Sequence, residues 1–163
     1  MFLPELLKLA ETILAEARER GLRIATAESC TGGLVAGVLT EIPGSSDVFE
    51  QGWVTYSNQA KQQELGVPED TLRIFGAVSE ASARAMAHGA LNRAPVDVAV
   101  SVTGVAGPGG GTTEKPVGLV HFAAARQGRE IVHEERRFGS LSRYDIRMQS
   151  VEVALDLLRR QLD

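Results

Sequence analysis

The run Val96-Asp97-Val98-Ala99-Val100-Ser101-Val102 constrains the fold of this chain more than any other segment. It is nearly continuous in apolar residues, the pattern of a central parallel strand covered by helices on both faces. Gly104 to Gly111 follow at its carboxyl end, where open α/β sheets bind their ligands. The glycines let main chain approach a ligand closely, or let a lid close, and the plainer reading is a flexible crossover with Pro108 fixing a turn. No Gly-Lys-Ser/Thr follows and the order of a dinucleotide fingerprint is missing, so a nucleoside triphosphate is not the expected ligand.

The flanking periodicities agree with a layered α/β fold. Leu3, Leu6, Leu7, Ala10, Ile13, Leu14 and Ala17 recur at helical spacing and Gly21 supplies a stop, which predicts a helix over 4–20. Leu22 to Thr26 reads as a strand. Ser29-Cys30-Thr31-Gly32-Gly33 then turns into a helix expected to begin near Thr31, with Ser29 and Thr31 as caps. Gln51 to Tyr56 holds good strand formers, and Ser57-Asn58 opens a capped helix. Leu72 to Val78 reads as a connector, and Ser79 caps a helix that runs to Asn92. Gly118 to Ala125 and Glu130 to Phe138 form a hairpin through Gln127-Gly128. Ser142 begins a last helix on which Tyr144, Met148, Val151, Leu155, Leu158 and Leu162 share a face. The expected fold is a three-layer α/β/α sandwich forming one domain over 1–163, with no repeat or linker.

Charge and composition exclude several classes. With 17 basic against 21 acidic side chains the formal charge is −4, and phosphate backbones need clustered cations, so no nucleic-acid partner is expected. No apolar run approaches a membrane span. The start at Met1-Phe2-Leu3-Pro4 has no basic leader and Cys30 is the only cysteine, which together predict a reducing, cytoplasmic location. His88, His121 and His133 are scattered without the spacing of a metal site, so no metal and no cofactor are expected.

Ser46, Tyr56 and Lys61 lie at spacings of ten and five in one stretch, Gly44 to Lys61. A lysine desolvated beside a serine acts as a general base, and a tyrosine hydroxyl passes or holds the proton, so this set can run acyl transfer without histidine. The plainer readings are a Gly-Ser-Ser turn, a strand aromatic and a solvated helix lysine. In the Ser29 to Gly33 turn, backbone N–H groups suit a ligand phosphate or carboxylate, with Ser29, Thr31 and Gly32 as contacts. Cys30 is a rival nucleophile, because a cysteine at a helix N-terminus can have a depressed pKa.

GSSDVFEQGWVTYSNQAK, TAESCTGG at Thr26 to Gly33, SVTGVAGPGGG at Ser101 to Gly111 and GSLSRYDIR at Gly139 to Arg147 resemble the CinA C-terminal family, the nicotinamide-nucleotide amidohydrolases. The resemblance implies an α/β/α sandwich with a mixed, mostly parallel sheet, assembled as a homodimer. Longer members carry an additional N-terminal domain, and this chain looks like the stand-alone form. The implied reaction is hydrolysis of the carboxamide of nicotinamide mononucleotide to nicotinate mononucleotide and ammonia. By resemblance Ser46 is the nucleophile, Lys61 its base and Tyr56 the proton relay. Thr103 resembles an active-site threonine that bonds the carboxamide or orients Lys61, Gly107 lies in the loop beside the pocket, and Arg143 matches an arginine for phosphate or transition-state charge. The alternative function is a non-catalytic interaction module linked to competence or DNA damage.

Overall fold

The computed structural model describes all 163 residues. In chain order the elements are α1 (Pro4–Glu19), β1 (Ile24–Glu28), α2 (Leu34–Thr40), β2 (Phe49–Val54), α3 (Asn58–Leu65), α4 (Glu69–Phe75), α5 (Glu80–Arg93), β3 (Val98–Gly104), β4 (Leu119–Arg126), β5 (Val132–Arg137) and α6 (Arg143–Leu162). The five strands form one sheet in the order β2-β1-β3-β4-β5. β1 pairs parallel with both β2 and β3, while β4 runs antiparallel to its neighbours, so four of the five strands point the same way.

The sheet separates two cores. Ile24, Val98, Val100, Val102, Val120 and Phe122 face α1, α2 and α6. On the other side Ala25, Ala27, Ala99, Ala123 and Ala125 face α3, α4 and α5. Bulky β-branched residues thus fill one side, and alanines on the other let helices approach closely. α5 meets α3 with the same economy: a Cβ on Gly89 would lie 1.9 Å from the Leu65 carbonyl oxygen, so only glycine fits. β1 and β3 are buried along almost their whole length, as the apolar run over Val96 to Val102 requires.

Local signals set most boundaries. Pro4 opens α1, and Ser57, Ser79 and Ser142 each accept a backbone N–H three residues on, capping α3, α5 and α6. Three expectations are corrected. Leu72 to Val78 is not simply a connector, because α4 covers Glu69–Phe75, opened by Pro68, Glu69 and Asp70 and stopped by Gly76 at φ +79°. Its single buried residue, Leu72, leaves no periodicity to read. Tyr144 is 56% exposed and leaves the apolar face of α6, which Ile146 joins instead. α2 begins at Leu34 rather than near Thr31, after Gly32 and Gly33 adopt left-handed conformations at φ +58° and +96°.

Candidate active site

The carboxyl ends of β1, β2 and β3 meet at one rim of the sheet. Ser29 follows β1, its N–H donating to Val102 O, and Thr55 follows β2, its N–H donating to Glu28 O. With Glu28 in register with Val102, Ser29 comes beside Thr103. α3 starts just beyond this rim, and its first turn carries Lys61 back over it.

Lys61 is the centre of the arrangement. It is only 1% exposed, and Nζ lies 3.0 Å from Ser29 Oγ and 2.7 Å from Thr55 O. No carboxylate pairs with it. Desolvation penalises the ammonium form and brings its pKa down to about 8. An amine of that pKa, touching a serine hydroxyl, has the geometry and basicity to serve as a general base near neutral pH.

The serine that meets Lys61 is therefore Ser29. Ser46 lies in a 3₁₀ turn, Ser45–Asp47, ahead of β2, whereas Tyr56 and Lys61 lie beyond its end. A six-residue strand extends about 20 Å at roughly 3.3 Å per residue, so within one chain Ser46 stays at the opposite end of β2. The expected convergence of Ser46 with Lys61 fails because the intervening residues run straight instead of folding back. The Ser46 turn is held there by Arg18, which donates to Gly44 O at 3.0 Å and pairs with Asp47 at 3.5 Å.

Tyr56 also has a different partner from the one expected. Its hydroxyl accepts from Arg143 Nη2 at 2.9 Å, not from Lys61, and the residue is 61% exposed. Arg143 Nη1 donates to Gly107 O at 2.7 Å, so one guanidinium ties the strand-end tyrosine to the glycine loop. Gly107 is left-handed at φ +76°, and a Cβ there would meet Val117 Cγ1 at 2.6 Å. Thr103 Oγ1 donates to Ala77 O at 2.8 Å and fastens the segment before α5, not Lys61.

The turn after Ser29 is braced from two sides by residues that the sequence reading did not single out. Glu28, 1% exposed, accepts from Val35 N and Ala36 N at 2.9 and 3.0 Å. Its carboxylate thus caps α2, and neither Ser29 nor Thr31 serves as the cap. An acidic residue directly before a glycine-rich turn and a helix was the available signal. Arg147, one helical turn after Arg143, donates to Cys30 O at 3.1 Å and Thr31 O at 3.3 Å. Gly32 lies against it: a Cβ there would be 3.1 Å from Arg147 Nη2.

Cys30 points into the apolar core beside α2, 5% exposed, and burial pushes its thiol pKa up to about 12. That removes the thiolate it would need as a nucleophile. The histidines are less scattered than their spacing suggests. His121 Nδ1 lies 2.9 Å from His133 Nε2 across β4 and β5, and Glu80 approaches His133 at 3.4 Å. Burial lowers the pKa of both rings. No group of three or more His, Cys, Asp or Glu side chains gathers as a metal site, and no helix is long and apolar enough to cross a membrane.

Comparison with known proteins gives consistent matches. The model of the CinA C-terminal domain matches residues 6–162. The nicotinamide-nucleotide amidohydrolase PncC of Escherichia coli K12 is 50% identical over 158 residues, covering 96% of this chain and 94% of the relative. A crystal structure of the competence/damage inducible protein CihA from Agrobacterium tumefaciens is 51% identical with a TM-score of 0.97, over 99% of this chain and 98% of that one. A CinA-like protein of Akkermansia muciniphila is 56% identical over 122 residues. The chain spans 26% to 37% of the length of such longer relatives.

Proposed function

Because the chain belongs to the CinA C-terminal domain family, we propose that it hydrolyses the carboxamide of nicotinamide mononucleotide, giving nicotinate mononucleotide and ammonia. The observation that carries this reading is the contact between Lys61 Nζ and Ser29 Oγ, 3.0 Å apart and withdrawn from solvent. An amide is a poor electrophile with a poor leaving group, so it demands an activated nucleophile and a proton for the departing nitrogen. A buried amine with a pKa of about 8 meets both demands in turn.

In the proposed sequence the free amine of Lys61 takes the Ser29 hydroxyl proton as Oγ bonds to the carboxamide carbon. The carbonyl π pair moves onto oxygen. Collapse of the tetrahedral adduct breaks the carbon–nitrogen bond, and Lys61 returns the proton to the leaving ammonia. Water, deprotonated by the same amine, then hydrolyses the acyl-serine. Arg143, with carbonyl and phenol partners but no carboxylate, keeps its charge available for the substrate phosphate. Tyr56 orients Arg143 in this scheme and does not relay Lys61's proton.

The full-length similarity to an amidohydrolase favours this reading over a non-catalytic interaction module. The same family membership supports a cytoplasmic location and a homodimer, and sedimentation of the purified chain tests the dimer. The decisive experiment is incubation of the protein with nicotinamide mononucleotide, with ammonia and the carboxylate product measured together. Release of both, abolished in Ser29→Ala and Lys61→Ala, is the expected result. An interaction module would release neither.

A further inference from the structure

Attack on the carboxamide throws negative charge onto its oxygen, and that charge needs donors fixed in advance where it develops. Several side chains around Ser29 are already committed: Lys61 is the base, Thr103 donates to Ala77 O, and Arg143 donates to Gly107 O and Tyr56, whereas Thr31 Oγ1 and Thr55 Oγ1 are buried without a partner. Most main-chain donors of the turn are committed too. Ser29 N–H goes to Val102 O, Gly32 N–H to Ser29 O and Leu34 N–H to Thr31 O, while Glu28 takes those of Val35 and Ala36.

Three main-chain donors of the turn remain. The N–H groups of Cys30, Thr31 and Gly33 donate to no other residue, and of these three residues Cys30 and Thr31 are buried, at 5% and 0% exposed. Thr31 Oγ1 is likewise buried without a partner. These polar groups follow directly on the serine that Lys61 activates. Buried backbone donors are nearly always paired, so a turn that leaves two of them open must be held in that conformation by something else.

Arg147 is what holds it. Its guanidinium donates to the carbonyls of Cys30 and Thr31, at 3.1 and 3.3 Å, and has no carboxylate partner. In a planar trans peptide C=O and N–H point in opposite directions, so fixing the Cys30 carbonyl fixes where the Thr31 N–H points. Glycine at position 32 accommodates the close approach of the guanidinium.

We infer that Arg147 is a positioning residue for the reaction, and that the Cys30–Thr31 turn it holds supplies the donors that bind the oxyanion. The inference rests on the carboxamide hydrolysis proposed above. Arg147 never touches the substrate; through the Cys30 carbonyl it sets the direction of the Thr31 N–H, while the Ser29 carbonyl, held by the Gly32 N–H, sets that of the Cys30 N–H, and both matter only once charge has moved onto the oxygen.

The test uses Arg147→Gln and Arg147→Lys in the full chain, with circular dichroism and melting as controls of folding. In Arg147→Gln, kcat for nicotinamide mononucleotide should fall roughly 10- to 1000-fold while KM changes by less than about threefold, since transition-state donors are lost and ground-state contacts kept. Arg147→Lys, which can bond one carbonyl, should recover part of that loss, and it carries the test should the glutamine variant not fold. A second readout is binding of the aldehyde analogue of the substrate, whose adduct with Ser29 bears the same oxyanion. Its affinity should fall by a factor similar to kcat, with affinity for the carboxylate product unchanged. A folded Arg147→Gln enzyme of wild-type kcat overturns the inference. Equal weakening of aldehyde and product, with lowered melting, overturns it in favour of a purely structural arginine. Failure of the wild type to release ammonia would instead overturn the proposed reaction, and aldehyde binding alone would then decide the role of Arg147.

Discussion

Lys61 and Ser29 are 32 positions apart in sequence, yet Nζ and Oγ lie 3.0 Å apart at the rim of the sheet, with Thr55 O as the lysine's only other acceptor. The lysine has no anion to stabilise its charge. Its basicity is therefore set by burial, and the consequences are measurable.

Activity should rise with pH to a plateau, with an apparent pKa near 8 in kcat/KM, because only the free amine accepts the serine proton. Lys61→Arg, which stays protonated throughout, should be inactive across the whole range. A rate independent of pH between 6 and 10 would remove Lys61 as the base.

Stability should respond in the opposite sense to an ordinary ion pair. A lysine whose pKa is depressed from 10.5 to about 8 on folding costs stability below pH 8, and that cost disappears as pH rises to 10.5. Lys61→Met should thus raise the melting temperature at pH 7, by a gain of up to about 3 kcal/mol less whatever the lost hydrogen bonds contributed. Melting curves of both proteins should converge between pH 8 and 10.5; an advantage that persists at pH 11 would contradict the assignment.

Ser29→Ala should lower kcat by about 10³-fold or more without unfolding the protein, since loss of one member disables a nucleophile–base unit. Cys30→Ala should keep most activity, its thiol being buried and protonated. Ser46→Ala distinguishes a site completed within one chain from one shared between copies. A self-contained site leaves its activity within several-fold of wild type, whereas a loss matching that of Ser29→Ala would bring Ser46 from a second molecule to the rim.

Arg143→Ala should reduce kcat/KM for the nucleotide more than for the corresponding riboside, if its guanidinium holds the phosphate as proposed. Steady-state kinetics with nucleotide, riboside and free nicotinamide decides this. Equal losses on nucleotide and riboside would put Arg143 at the carboxamide instead.

Much of the fold was legible because its signals are local. The helical repeat of α1, the apolar run of β3 and the serines that cap α3, α5 and α6 each announce an element within a few residues. α4 was missed because one buried leucine makes no pattern. The candidate site was legible only in part, since its pairings are set by sheet order and not by spacing. Tyr56 meets Arg143 from 87 positions away, and Arg147 reaches back 117 positions to Cys30. Ser46, Tyr56 and Lys61 looked convergent because they are near in sequence, but β2 spends that nearness by running straight between them.

The glycine at position 89 gives α3 its seat, and so governs the reach of a side chain it never touches. Leu65, whose carbonyl packs onto Gly89, lies one helical turn beyond Lys61. A methyl group at position 89 would lever the end of α3 outward and tilt Lys61 away from Ser29. The amine would gain water, its pKa would climb toward that of a free lysine, and the rate, lower at every pH for want of the Ser29 contact, would reach its plateau only in a more alkaline medium. An alanine on a neighbouring helix thus becomes a control on the working pH of the site, readable as a shift of the pH–rate profile in Gly89→Ala.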